Sequence, residues 1–323
     1  MDHLRFDAPD ASLILACAKG APPSVIYWGA ALPKNVDAAQ IESLFFRQAM
    51  HGVADVALPL SLAMEPGLGH PMMQGFAAHR EGKDWCSLFD VGKVERRSHG
   101  AKIICRDERT RLGLAYDIDF DPATGVLRIR TELTNYGTAA LDVTEVMTAC
   151  LPVPEHMTEI IGFTGRWTQE FTQDRVQRSA GTCLRENRSG RTSHFSYPAM
   201  LLATSSTNET AGEAYGFHLA WSGNHRLRVD TLTDGRVLTS LGALLLPGEV
   251  RLAPGETFAS PEIVAAYSAD GLSALSRKFH EHVRTKLLRP AMRAKPRPVH
   301  YNTWEAVYLD HDVDRLKELA TRA

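Results

Sequence analysis

Gly125-Val126-Leu127-Arg128-Ile129-Arg130-Thr131-Glu132-Leu133 is the stretch on which the fold turns. Leu127, Ile129, Thr131 and Leu133 fall on one side of an extended chain, and Arg128, Arg130 and Glu132 on the other. A period of two sets one face against a core and the other toward water, which predicts a half-buried strand. Asn135-Tyr136-Gly137 follows as a turn, and Leu141 to Val146 reads as the returning strand of a hairpin. Outward from there the pattern recurs. Tyr215, Phe217, Leu219 and Trp221 alternate and stop at Ser222-Gly223-Asn224-His225, and Arg226 to Asp230 runs into a turn at Asp234-Gly235. Pro247-Gly248-Glu249 and Pro254-Gly255-Glu256 punctuate two further short strands. Short strands with turn signals roughly every 8–12 residues predict a large antiparallel sandwich, so the fold class is mainly β. Helical periodicity is scarce before residue 269, and there is no internal repeat or low-complexity tract.

The 323 residues allow one large all-β domain or two ordinary domains. With 44% hydrophobic and 23% charged residues, a sizeable core is expected and disorder is not. A formal charge of -2 gives no electrostatic footprint for nucleic acid or an anionic membrane, and no apolar run approaches a membrane span. The first residues carry Asp2, Arg5 and Asp7 where a secretory leader would be basic. The apolar run from Ala11 to Ala18 is short for a signal core; Leu15-Ala16-Cys17 resembles a lipoprotein cleavage site, but a plain β-strand is the preferred reading. Cysteines at 17, 86, 105, 150 and 183 are odd in number and form no CxxC or ladder, which suits reduced thiols in a cytoplasmic protein.

The character changes near residue 270. Leu272, Leu275, Phe279 and Val283 fall on one helical face with Asp270 near its start, predicting a connecting helix over 270–288. Arg289 to Pro298 is basic and holds Pro290, Pro296 and Pro298, as a linker would. Then comes His300-Tyr301-Asn302-Thr303-Trp304-Glu305-Ala306-Val307-Tyr308-Leu309-Asp310-His311-Asp312. Tyr301 and Thr303 alternate around Asn302 as in a strand, and Val313, Leu316, Leu319 and Ala320 recur at helical spacing after an Asp cap. One strand and one helix close no core, so this reads as the first βα unit of an incomplete (β/α)8 barrel, with the remaining units expected beyond residue 323. The expected domains are 1–285 for the sandwich, 286–297 for the linker and 298–323 for the βα unit.

Little here carries chemistry by itself. Asp310-His311-Asp312 could be read as metal ligands, but adjacent residues alternate in direction, and a helix cap with solvated charges is preferred; no metal is expected. His194 and His225 lie in turn-like segments, where a hydrogen-bonded loop histidine is the default. No G-x-S-x-G, Walker or G-x-G-x-x-G element occurs, and Gly67-Leu68-Gly69 is too short a match to mean anything. Tryptophans are more informative. Trp167 sits in Gly162-Phe163-Thr164-Gly165-Arg166-Trp167-Thr168-Gln169-Glu170-Phe171, a glycine-flanked polar segment that predicts an exposed loop. Indole faces stack on sugar C–H surfaces, so the segment suits a carbohydrate site and equally an ordinary sandwich-edge tryptophan. Trp85, among Gly82, Lys83 and Asp84, is open to the same two readings. Trp304 stands at the end of a barrel strand, where such folds place their sites.

Tyr301 to Asp310 resembles the opening of the catalytic barrel in the α-galactosidases of glycoside hydrolase family 36. Five upstream segments resemble that family in the same order: Gly165-Arg166-Trp167, Arg188 to His194, Gly212 to Phe217, Trp221 to His225, and Leu252 to Glu262. The likeness runs from about Trp28 onward. It implies an N-terminal β-supersandwich, a (β/α)8 barrel and a small C-terminal β-domain, in a retaining, metal-independent, cytoplasmic and often tetrameric enzyme without cofactor. Retention requires two carboxyl groups about 5–5.5 Å apart. The family's two are aspartates on later barrel strands, so no catalytic residue is expected within this chain. By the same resemblance Trp304 lines the galactose pocket, Trp167 is lent across a subunit interface, and Glu42 in Gln40-Ile41-Glu42-Ser43-Leu44-Phe45 matches an aspartate lent in the same way. A solvated surface charge is the other reading of Glu42.

The expected function is therefore the N-terminal portion of a retaining α-galactosidase acting on terminal α-D-galactosides such as melibiose and raffinose. Its partners would be these oligosaccharides and copies of itself, with no nucleic acid and no membrane. The alternatives are a relative acting on α-N-acetylgalactosaminides or transferring galactose, and a non-catalytic carbohydrate-binding or assembly module.

Overall fold

The computed structural model describes residues 3–45, 58–70, 74–192 and 195–323; His194 lies outside them. The chain divides into two compact units, Met1–His282 and Val283–Ala323.

The first unit holds three antiparallel sheets. His3–Asp7, Ala11–Ala16 and Ser24–Ala30 form a three-stranded meander. Leu15 and Ala16 of the stretch that resembled a cleavage site end the central strand of this meander, which is buried along its whole length. The largest sheet has ten strands. Its order from one edge is Gln169–Gln177, Glu159–Arg166, Ser196–Ala203, Ala214–Ala220, Glu262–Ser268, Leu127–Asn135, Leu112–Phe120, Gly100–Asp107 and Asp90–Arg97, with Thr257–Ala259 also paired to Leu127–Asn135. A six-stranded sheet runs Gly181–Asn187, His225–Thr231, Val237–Ala243, Leu141–Val153 and Val250–Leu252, with Phe76–His79 on Leu141–Val153.

The main core joins all three sheets. Leu127, Ile129 and Leu133 of the ten-stranded sheet share one cluster with Val143, Leu151 and Leu241 of the six-stranded sheet and with Leu13 and Trp28 of the meander. Each such side chain removed from water stabilises by about 1.5–3 kcal/mol. Thr131 completes the predicted inward face: its hydroxyl donates to Thr148 O on the other sheet at 2.5 Å, so the polar atom is satisfied where it is buried. A second cluster lies on the outer face of the ten-stranded sheet, where Leu272, Leu275 and Phe279 of the helix Gly271–His282 meet Val126, Ile161, Val264 and Ala266.

Several expectations require correction. Leu127–Asn135 and Leu141–Val153 are not a hairpin, since they belong to different sheets and share no ladder. Asn135 explains why. It is fully buried, donates to Ala139 O at 2.9 Å and to Leu252 O at 3.0 Å, and pins the chain as it crosses between layers. Next, Val283 leaves the apolar helical face. The helix ends at His282 and widens into a π-helical turn over Val283–Leu287, closed by Leu288 N to Val283 O at 2.9 Å, which leaves Val283 43% exposed. Finally, the basic segment is not purely irregular, since Pro290–Arg293 forms a helical turn.

In the second unit no strand is found at Tyr301–Thr303. That stretch has no ladder partner among the described residues, and alternation alone does not make a strand. Trp304–Val307 is a short helix, and Val313–Arg322 is the predicted amphipathic one, capped by Asp312 Oδ1 accepting from Arg315 N at 2.8 Å. No described helix is long and apolar enough to cross a membrane.

Candidate sugar-binding surfaces

Trp167 stands at the tip of the hairpin made by Glu159–Arg166 and Gln169–Gln177, at one edge of the ten-stranded sheet. The glycine-flanked segment is thus two strand ends and a two-residue tip, not a loop. Gly165 is required by close approach: a Cβ there would stand 2.3 Å from Gln169 O and 2.9 Å from Glu170 Cα. Thr168 takes positive φ (66°), its amide donates to Glu170 Oε1 at 3.1 Å, and Arg166 Nε donates to Gln169 Oε1 at 2.7 Å. These contacts fix the tip while the indole of Trp167 is 75% exposed. Lower on the hairpin, Arg185 grips Asp174 with two donors at 3.1 and 2.5 Å. Next to the tip, Phe171 packs on Tyr197 with ring centroids 4.8 Å apart, and Tyr197 stacks on His218 at 5.7 Å. This aromatic row escaped sequence reasoning because its members come from three separate strands. Burial lowers the pKa of His218, so its ring is neutral at neutral pH.

Glu42 lies on the helix Ala38–Leu44, which begins with a capping box: Asp37 accepts from Ala39 N at 3.2 Å, and Gln40 Oε1 accepts from Asp37 N at 3.4 Å. Its carboxylate meets His3 Nε2 at 2.9 Å and is about one-third exposed. Glu42 is thus a paired charge beside the meander, and Trp167 is carried by a different element.

Two segments quoted separately from the sequence come together in space. Asn224 Oδ1 accepts from Gly190 N at 3.0 Å, tying the turn at Arg188–Gly190 to the turn at Trp221–Asn224. Trp221 Nε1 donates to Asn224 O at 3.1 Å. Beside them opens a cavity of about 560 Å³ lined by Arg188, Trp221, Asn224, Leu244, Glu249 and Phe258. An indole face, an amide, a guanidinium and a carboxylate around an apolar floor are the groups that hold a sugar ring. His225, next along the chain, is fully buried with Nδ1 at 3.2 Å from Gly223 O and Nε2 without a partner among the described residues. Burial lowers its pKa against that hydrogen bond, so it is a neutral, half-satisfied pin under the turn. The strand that follows carries a charge network: Arg226 reaches Glu145 and Glu186, and fully buried Arg228 reaches Asp230 Oδ2 at 2.7 Å. Burial raises the Glu145 carboxyl despite Arg226 and Arg228 beside it.

In the second unit Trp304 N donates to Asn302 Oδ1 at 2.8 Å, and its ring meets Tyr308 edge-on with centroids 5.6 Å apart. Half of the indole is exposed and Glu305 is exposed beside it. Asp310-His311-Asp312 divides as a cap would: Asp312 caps the helix and His311 Nε2 lies 2.9 Å from Tyr308 O. Among the described residues no group of three His, Cys, Asp or Glu could hold a metal ion.

The architecture is thus a β-rich module that exposes aromatic side chains at a hairpin tip and beside a cavity. Residues 21–253 match the family described as Glycosyl hydrolase family 36 N-terminal domain, and 257–323 match Melibiase. The chain belongs to glycosyl hydrolase family 36. An α-galactosidase of Escherichia coli is 36% identical over 323 residues, covering 99% of this chain and 44% of that one. Two solved structures share the fold: the galactosidase domain of the α-galactosidase-sucrose kinase AgaSK, and an AgaA α-galactosidase variant of Geobacillus stearothermophilus in complex with raffinose. Each has a TM-score of 0.87 at 23% identity, over 99% of this chain and 48% of the other. The chain therefore spans less than half the length of these relatives.

Proposed function

We propose that this chain is the N-terminal portion of a retaining α-galactosidase that hydrolyses terminal α-D-galactosides of the melibiose and raffinose type. The observation that carries the reading is the ordered match: the N-terminal domain of the family over 21–253, then Melibiase over 257–323. Retaining chemistry needs a carboxylate nucleophile and a carboxylic acid about 5–5.5 Å apart. In this reading both are barrel aspartates outside these 323 residues. The residues here orient sugar: Trp304 from the start of the barrel, Trp167 from the hairpin tip of a neighbouring subunit in a homo-tetramer, and Glu42 as a weaker third contact. The assembly works in the cytoplasm, without cofactor.

Sequencing the DNA downstream of codon 323 tests this at once. An in-frame continuation with a Lys-Trp-Asp-like segment supports the enzyme; an authentic stop overturns it. The purified 323-residue chain should show no turnover of an aryl α-galactoside, and activity that survives purification and is lost in Trp304→Ala would overturn the placement of the catalytic pair. If the continuation exists, Trp167→Ala in the longer protein should raise KM on the order of tenfold, about 1.4 kcal/mol of lost sugar stacking, without unfolding it.

A second reading is a non-catalytic carbohydrate-binding module, favoured by the cavity at Trp221, Asn224 and Arg188. Saturable binding of raffinose to the 323-residue chain, lost in Trp221→Ala, would support it.

A further inference from the structure

At the end of the sandwich where the strand Phe76–His79 gives way to its following turn, five cations line one cavity of about 350 Å³: Arg80, Lys83, Arg109, Arg111 and Arg251. Glu81 and Asp84 are the carboxylates on the same wall. Arg80 is the fixed floor. It is buried, and its guanidinium donates to Thr110 O at 2.7 Å, to Asn135 Oδ1 at 2.6 Å and to Asp84 Oδ2 at 3.1 Å. Gly137 lies directly against it: a Cβ there would stand 2.3 Å from Arg80 Nη2, so a larger residue would dislodge the floor.

The other four cations are held less firmly. Arg109 stands 3.6 Å from Asp107 and Arg251 3.3 Å from Asp142, and both side chains are mostly exposed. Among the described residues no carboxylate pairs with Lys83 or Arg111. A chain of formal charge -2 has thus gathered five cations against two carboxylates on one concave wall. Such a wall focuses a positive potential, and guanidinium and ammonium donors suit phosphate oxygens. The residue after Asp84 is Trp85, whose side chain is 59% exposed. Trp85 is not part of the lining; it adjoins it through Asp84 in the chain, and its exposed indole would offer a face to a sugar ring that extends beyond the cavity.

We propose that this cavity binds a phosphorylated sugar, its phosphate held by Lys83, Arg109, Arg111 and Arg251 and its ring laid on Trp85. Its lining shares no residue with the cavity at Trp221 and does not include Trp167, and the proposal does not rest on the galactosidase reading.

Isothermal titration calorimetry on the 323-residue chain tests it, with glucose 6-phosphate, inorganic phosphate and glucose as titrants at about 50 mM salt, where screening is modest. Glucose 6-phosphate should bind saturably, inorganic phosphate about tenfold more weakly and glucose not measurably. Lys83→Gln and Arg111→Gln should each weaken glucose 6-phosphate binding at least about fivefold, with unchanged circular dichroism, and Lys83→Arg should retain it. Trp85→Ala should weaken glucose 6-phosphate and leave inorganic phosphate unchanged. Absence of binding, or an equal loss in Lys102→Gln, whose ammonium pairs with Glu132, would overturn the site. If inorganic phosphate binds as tightly as glucose 6-phosphate and Trp85→Ala alters neither, the assignment to a sugar is wrong.

Discussion

The two units of this chain obey opposite rules. Met1–His282 buries its side chains in a main core shared by three sheets and in two smaller clusters, whereas Val283–Ala323 buries a single one, Val307. The contrast extends to what makes a strand. Tyr301-Asn302-Thr303 has strand-like alternation and no ladder, while Gln169–Gln177 has almost every side chain exposed and is a strand, because its backbone pairs with Glu159–Arg166. Alternation records which face is buried, but backbone pairing is what builds the element. The largest expected effect follows. Phe217→Ala should cost about 3–5 kcal/mol in urea unfolding, since it empties a closed site, and Leu316→Ala less than about 0.5 kcal/mol. Similar costs for the two would end the distinction.

Proteolysis sharpens the same comparison. Opening a segment with few buried contacts costs little, so trypsin should cut after Arg293 at least about tenfold faster than anywhere in the sandwich; Arg289, Lys295 and Arg297 each precede a proline and offer trypsin no cleavable bond. Arg128 and Arg130 sit in the sequence stretch with the cleanest alternation and should resist. Early cleavage there, with the C-terminal segment intact, would reverse the assignment.

Legibility followed the same division. The mainly β class was readable because Leu127, Ile129, Thr131 and Leu133 alternate locally, and all four are buried as that pattern requires. The partner of that strand was not readable. Asn135 looked like a turn residue, yet one of the two hydrogen bonds that pin it as the chain crosses to the other sheet ends on Leu252, far along the sequence. Trp167 was visible as an exposed aromatic from its glycines and polar neighbours. The row Phe171, Tyr197 and His218 was not, because a site assembled from separate strands leaves no local spacing. Likewise the Arg188 and Trp221 turns could be noticed one by one, and only the hydrogen bond between Gly190 and Asn224 shows that they form one wall.

A smaller effect should appear with pH, again in the sandwich. Burial lowers the pKa of His225, His218 and His70 in the folded state. The unfolded chain then binds more protons between the lowered values and the ordinary value of about 6.5, so stability rises with pH through that window. Above about 6.5 the contribution is whole; it is lost as pH falls toward the lowered values. Tm should therefore drop between pH 7.5 and pH 5, and His225→Gln should flatten the drop. A variant with the same slope as the parent would show that His225 gains no proton on unfolding.

The smallest effect asks whether the sandwich depends on the second unit at all. All five cysteines are free and all lie before Val283: Cys17, Cys105 and Cys150 are buried, Cys183 is half-buried and Cys86 is exposed. Burial pushes the Cys150 thiol up to about 12 and raises Cys105 further, so neither forms much thiolate at neutral pH. Labelling the native chain with a chromogenic disulfide should therefore give one fast thiol, Cys86, then a slower one, Cys183. The other three should remain closed until denaturant is added. After trypsin has removed the residues beyond Arg293 the same sequence of events should recur at nearly unchanged rates. If Cys17, Cys105 or Cys150 becomes reactive in the trimmed protein, the core loosens when the C-terminal segment is lost, and the two units are not independent.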